Sequence, residues 1–439
     1  MTAGTRQAPA EINGIDAAAS RLLGVYPQKQ KTLYMQRINI FGGRLSWPQW
    51  RRVAELATVY TPCFPLHITT RQDVELHNIN IEDILAVQQG LAEVALTTFA
   101  ACGDSVRNIT VCPGSDLHEG GFDLQPLARL VQQHLHGQPV IFNLPRKFKI
   151  SFSGCREACA RPWLSDLGFI AQSDGLFTVI GAGSLGPRPA LGIELYRDLP
   201  PGDVLPLCVA AVEFFAEHGD RHNRRRARFR HVRQRLGDQA FRTQLHERLA
   251  EVRLRRPRPN LLPARAAGNM TMLHRLNLPN GNISPKQATA LADAAEPEGA
   301  VLRINLEHGL ELYGDRPVQL PQELAAWADN PVIIACPGCR TCPHGLADCW
   351  ETAERIRTAL AAKECSESRI SISGCPNNCA HSAVADIGLV GTTLKDNGKT
   401  ARGYRLLVGG GNGRNPGLAA KSRVLAAKHV PETVKKLLR

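Results

Sequence analysis

Residues 38–57, INIFGGRLSWPQWRRVAELA, open with alternating apolar and polar positions and turn at Gly42 and Gly43. Beyond Ser46 the apolar positions take up helical spacing. Residues 276–295, LNLPNGNISPKQATALADAA, follow the same course, with Ser284 before Pro285 and an Ala-rich run after it. A second strand follows each, FPLHITT at 64–70 and AVLRINL at 300–306. The pattern predicts two small α+β units, each leading into a larger unit of helices and strands. GLAEVALTTFA (90–100) and ETAERIRTALAA (351–362) read as helices of the larger units.

The likeness extends further. SFSGCREACARPWLSDLGFIA (151–171) and SISGCPNNCAHSAVADIGLVG (371–391) align without a gap at an offset of 220. Gly154, Cys155, Cys159, Ala160, Asp166 and Gly168 fall on Gly374, Cys375, Cys379, Ala380, Asp386 and Gly388. ACGDSVRN near 102 stands where IIACPGCRTC stands near 336, and VIGAGSLGPRPALG (179–192) matches LLVGGGNGRNPGLA (406–419). One plan is written twice. The expected organisation is a flexible N-terminus at 1–20, a small unit at 21–92 and a larger α+β domain at 93–254. A Pro- and Arg-rich linker at 255–268 precedes a second small unit at 269–328 and a second larger domain at 329–439.

At 439 residues, two or three domains are the default. No run approaches the ~18 apolar residues of a membrane helix, and no apolar signal core opens the chain, so a cytoplasmic, non-membrane protein is expected. In that compartment 13 cysteines point to metal or redox chemistry rather than disulfides. The net charge of +13 suits anions or an acidic protein partner. The basic run at 220–236 fits a helix with Phe229, Val232 and Leu236 on one side and a solvated opposite face. No aromatic patterning for nucleic acid accompanies it.

Four cysteines of the second half form two close pairs, Cys336-x5-Cys342 and Cys375-x3-Cys379. Four thiolates complete a [4Fe–4S] site, with each pair holding part of one cubane. Pro376 presets a tight loop and Gly374 permits a close approach. Cys336, Cys339, Cys342 and Cys375 form a competing, ferredoxin-like set, and a zinc knot is a third reading. Cys63, Cys208 and Cys365 read as isolated core thiols, and Cys349 as core or near-cluster packing.

The first half keeps Cys102, Cys155 and Cys159, but with Cys102 aligned to Cys336 the place of Cys342 is taken by Asn108. One half kept the metal, on this reading, and the other turned to a different task. It carries Arg71, Arg107, Lys147 and Lys149, and the counterpart of Arg71 is Glu307. Lys147 and Lys149 share one face if that segment is a strand. Cations on several segments can converge on a small anion.

GVYPQKQ (24–30), TTRQ (69–72), CGDSVRN (102–108), LPRKFK (144–149), Cys336-x5-Cys342 and Cys375-Pro-Asn-Asn-Cys379 together resemble the siroheme-containing assimilatory nitrite/sulfite reductases. The resemblance implies two ferredoxin-like half-domains and two larger α+β domains related by a pseudo-two-fold axis. It implies one [4Fe–4S] cluster on Cys336, Cys342, Cys375 and Cys379, with Cys379 bridging to the siroheme iron and Cys339 left out. Arg71, Arg107, Lys147 and Lys149 fall on the family's anion-site positions. Lys-aromatic-Lys at 147–149 resembles the sulfite-reducing members, whereas plant-type nitrite-reducing members tend to have Asn at the second Lys. The implied activity is six-electron reduction of sulfite to sulfide, fed by a ferredoxin-like donor. Nitrite reduction to ammonia at the same site is the alternative. A precorrin-3B synthase-like enzyme and a non-catalytic iron–sulfur carrier are further alternatives. TTRQ and LPRKFK argue against the former, and a carrier needs no anion pocket.

Overall fold

The computed structural model describes residues 11–12, 15–117, 120–154, 156–255, 263–266, 270–360, 368–396, 399–411 and 413–438. Within the stretch expected to be a flexible lead, two short strands pair and a helix begins at Ala17. The small unit of the first half follows, with strand β1 (Leu33–Ile38), helix α1 (Trp47–Tyr60), β2 (Leu66–Ile68) and β3 (Val74–Asn80). Helix α1 starts where Ser46 accepts from the Gln49 amide and the Gln49 side chain answers to the Ser46 amide.

The larger unit of the first half contains β4 (Thr110–Val111), β5 (Ile150–Ser153), β6 (Leu167–Ala171), β7 (Phe177–Gly181) and β8 (Ile193–Leu199). Its sheet runs β8-β7-β6-β5-β4, parallel across β4, β5 and β6 and antiparallel beyond. The basic run contributes helix α2 (Phe229–Leu236), with Phe229 and Val232 buried as its period predicts. Its polar face is not wholly solvated. Arg228 reaches Asp166 (2.8 Å), and the buried Arg230 donates to the Ser184 carbonyl.

The second half repeats the plan with β9 (Thr271–Leu276), helix α3 (Pro285–Ala295), β10 (Val301–Ile304) and β11 (Leu310–Gly314). Ser284 and Gln287 form the same capping box. Then come β12 (Ile333–Ala335), helix α4 (Cys349–Ala359), β13 (Ile370–Ser373), β14 (Ile387–Asp396), β15 (Lys399–Val408) and β16 (Ala420–Ala426). This sheet runs β12-β13-β14-β15-β16 with the directions of the first. Ser151 sits beside Gly168 and Ser371 beside Gly388, so the offset of 220 holds in three dimensions. The α+β, internally duplicated architecture expected from the repeat is therefore observed.

The small units exchange strands. Arg44–Leu45 of the first half pairs with β10, while Asn282–Ile283 of the second pairs with β2. Helices α1 and α3 meet across this seam, where Trp50 donates its indole N–H to the Ala288 carbonyl (2.9 Å). One apolar core spans both units. Each larger unit has its own core, and a small cluster including Leu164, Ala383 and Val384 joins them.

Two sequence expectations need amendment. The helix expected at 90–100 ends at Ala92. Left-handed backbone at Ala95 and Ala100 turns the chain so that Thr97 can bridge to Asn39. Part of the expected linker lies outside the described residues, and Ala264–Arg265 within it pairs with Phe122–Asp123. Among the described residues no helix is long and apolar enough to cross a membrane.

Candidate functional site

Strand β12 delivers Cys336 to its C-terminal end, and β13 delivers Gly374 and Cys375 beside it. The two loops interlock through glycine. A Cβ on Gly374 would come within 2.7 Å of the Gly338 Cα, and one on Gly338 within 2.3 Å of the Ala347 carbonyl. The Gly374 amide donates to Cys336 Sγ at 3.2 Å. The neighbouring Cys349 thiol (3.9 Å) and the Gly374 and Gly338 amides pull Cys336 down to about 7 against burial. Cys342 and Cys375 are pushed up to about 12, first by burial and then by Cys379. Cys336 adds to both, so the four thiols lie near enough to act on one another. Cys339 stands apart from them in its bonding, with Arg402 Nη1 donating to its sulfur (3.4 Å).

The first half supplies the facing wall. Thr70 donates to the Cys379 carbonyl (3.2 Å), and Lys29 donates to the Cys339 carbonyl (3.3 Å). Burial and then Cys336 raise the Cys379 thiol, and the half-buried Lys147 and Lys149 oppose that rise. Burial and then Arg228 draw Lys147 down to about 7. Burial and then Arg71 hold Lys149 well below the usual lysine range. Arg71 directs Nε (3.1 Å) and Nη2 (2.6 Å) to the Asn108 carbonyl. Arg107 lies deeper, its guanidinium on the carbonyls of Ala101 and Gly103. Burial lowers both arginines. Lys147 and Lys149 thus lie near enough to Cys379 to act on its charge, and Arg71 and Arg107 in turn act on Lys149. Like charges held this close depress one another, an arrangement relieved by an anion.

Several participants escaped the sequence reading. Asp166 accepts from the Lys149 amide (2.8 Å) and from Arg228, fixing the segment that leads into β5. Its counterpart Asp386 accepts from the Arg369 amide (2.8 Å), and the conserved spacing within the repeat was the available signal. Asn108 is a hub. Its amide donates to the Ile40 and Arg71 carbonyls and to Asp73 Oδ1 (2.7 Å).

The alignment of Cys102 with Cys336 is also corrected. Cys112 donates its amide to the Phe152 carbonyl (3.1 Å) as Cys336 donates to Ile372 (3.1 Å). Because Phe152 and Ile372 are equivalent, Cys112 is the counterpart of Cys336. CPGSDLH at 112–118 therefore matches CPGCRTC at 336–342, with His118 at the place of Cys342. Cys155 and His118 lie outside the described residues, as does Cys365. Cys102 is a buried thiol near the Gly24 carbonyl, and Cys208 is buried as expected, but Cys63 is exposed.

The family models agree with this architecture. The nitrite and sulphite reductase 4Fe-4S domain matches residues 102–252 and 326–439, and the ferredoxin-like half domain of nitrite/sulfite reductases matches residues 26–94. The chain belongs to the nitrite and sulphite reductase family. It is 28% identical to the assimilatory ferredoxin-dependent nitrite reductase of Haloferax mediterranei, covering 90% of this chain and 77% of that one. It is 29% identical to the ferredoxin–nitrite reductase of Synechococcus elongatus (92% and 85%) and 27% identical to the chloroplastic enzyme of Arabidopsis thaliana (95% and 76%). The fold matches the NirA protein of Mycobacterium tuberculosis with a TM-score of 0.80 at 22% identity, over 97% of this chain and 87% of that one. These relatives overturn the expectation that the chain stands nearer the sulfite-reducing members. The physical reason is that Lys147 and Lys149 supply positive charge, which attracts either oxyanion and does not by itself choose between them.

Proposed function

We propose that this reductase converts nitrite to ammonia at a siroheme coupled to a [4Fe–4S] cluster, with electrons from a ferredoxin-like donor. The observation that carries the reading is the meeting of the two halves at Cys379. Thr70 of the first half donates to the Cys379 carbonyl, Lys147 and Lys149 act on its thiol, and Arg71 acts on Lys149, while Cys336 of the second half acts on the same thiol. Relatives named as ferredoxin-dependent nitrite reductases over most of both chains support the choice of anion and donor. The site is an argument against a simple electron carrier, which has no use for a converging cationic wall.

The residues fit the cofactors. Among the described residues no three His, Cys, Asp or Glu side chains stand close enough to hold a single metal ion, yet four soft thiols influence one another across a shared space. That donor set suits a polynuclear cluster, which Cys336, Cys342, Cys375 and Cys379 would hold, and Cys379 would be the thiol nearest the siroheme. When bound, the siroheme and cluster would supply the electron-transfer and redox chemistry that the side chains lack.

The chain's own residues supply charge, orientation and protons. Arg71 is held in place by two carbonyl contacts from Asn108 and one from Ile150, so its position is set before the anion arrives. Lys147 and Lys149 neutralise the anion and deliver protons as N–O bonds break. Arginine retains its protons and serves as a fixed charge. The basic surface of the chain favours encounter with an acidic donor.

The deciding experiment is an anaerobic preparation supplied with siroheme, iron and sulfide, then given reduced ferredoxin and nitrite. Ammonium should appear as reduced ferredoxin is consumed, six electrons per nitrite. A siroheme-loaded protein that forms no ammonium would exclude this function.

A further inference from the structure

We propose that Cys112 and Cys159 form a reversible disulfide through exchange with a small-molecule disulfide, fastening two loops of the first half together. The pair occupies the places of Cys336 and Cys379. In the second half, Cys336 directs its sulfur to the Gly374 amide and Cys349. In the first half, the two equivalent sulfurs have closed onto each other at 2.7 Å. The first half brings the counterparts of two proposed cluster ligands into direct contact.

The surroundings fix this contact. Cys112 is 2% exposed and is held by the bond from its amide to the Phe152 carbonyl. Ala160 and Leu306 pack around the two thiols. Gly154 presses on the loop beyond Cys112, where a Cβ would meet Ser115 and the Phe122 carbonyl at 2.5 Å. Cys159 is half-buried, so a reagent reaches this sulfur first. Two residues further on, Arg161 contacts His381 and Glu307 of the second half. The bond would tie this inter-half segment to the end of β4 (Thr110–Val111).

The exchange has two steps. The Cys159 thiolate attacks a small-molecule disulfide, forming a mixed disulfide and releasing one thiolate. The Cys112 thiolate then displaces the second. The protein pair loses two electrons and two protons, and the reagent gains both as two thiols. In a reducing compartment such a bond is transient and reports redox state.

The test uses anaerobic, cofactor-loaded protein treated with oxidised glutathione, quenched in acid, alkylated and mapped by mass spectrometry. A peptide pair joined through Cys112 and Cys159 should appear and should vanish after dithiothreitol. Cys112→Ser should instead leave glutathione on Cys159. Alkylation of both residues after oxidation would overturn the proposal, as would a bond from Cys159 to another cysteine. Metal content provides an independent check. If Cys112→Ser lowers the iron or zinc bound by the unoxidised protein, the pair is a ligand set and not an exchange pair.

Discussion

Arg161 and His381 hold equivalent positions in the two halves, and they touch each other across the interface through Arg161 Nη1 and His381 Nδ1. Both adopt left-handed backbone, with φ of 59° and 63°. A residue meets its own counterpart only beside the pseudo-two-fold axis, so this contact marks where the axis runs. Burial, then Arg161, holds His381 well below the usual histidine range, and a neutral ring can accept from the guanidinium. His381→Lys would set a second cation against Arg161. The expected loss is on the order of 3 kcal/mol, read as a lower midpoint in urea, with His381→Gln closer to wild type. Equal midpoints for the two variants would contradict this account.

Lys149 should be needed for the anion and not for cofactor loading. Lys149→Ala is expected to lower kcat/KM for nitrite by roughly 100-fold. Siroheme absorbance and iron content should stay at wild-type levels. A protein that folds but loses its siroheme would reassign Lys149 to cofactor binding.

The two cysteine sets separate under substitution. Cys375→Ser should abolish the cluster, measured as iron and labile sulfide, because it removes one of four proposed donors. Cys339→Ser should keep it, since Arg402 already occupies that sulfur. Cluster loss in Cys339→Ser with retention in Cys379→Ser would favour the ferredoxin-like set.

Asp73 gives a pH signature. Burial raises its carboxyl from 3.8 to about 6, although Arg37, Arg107 and Arg71 oppose the shift. The folded state therefore holds this proton more tightly than the unfolded chain. The resulting stability is fully present below about 3.8 and is lost as pH rises through about 6. Asp73→Asn keeps an acceptor for Asn108 and removes the titration. Between those limits wild type should lose on the order of 3 kcal/mol relative to the variant. Parallel stability curves would show that Asp73 does not titrate in this window.

Much of the fold was legible because the chain states it twice. Ser46 and Ser284 mark helix starts, and the gapless offset of 220 survives in the pairing of Ser151 with Gly168 and Ser371 with Gly388. The basic and thiol residues were legible as types at unusual spacing. The matching of Cys112 to Cys336 was harder, because ACGDSVRN offered a nearer-looking cysteine. The bond from Cys112 to Phe152 shows which residue ends the equivalent strand, and the Cys-Pro-Gly shared by 112–114 and 336–338 was the signal in the sequence. Arg228 was hidden for a different reason. Its basic neighbourhood resembles a solvated helix, and only folding brings it against Asp166.

The exchange of Arg44–Leu45 and Asn282–Ile283 between the small units has a consequence for any attempt to divide the chain. A cut in the linker leaves each fragment with an open sheet edge, since the strand that covers it travels with the other fragment. The halves can thus diverge in chemistry without parting in space. Thiols on one side and cations on the other stay aimed at the same gap because neither half is a finished object alone.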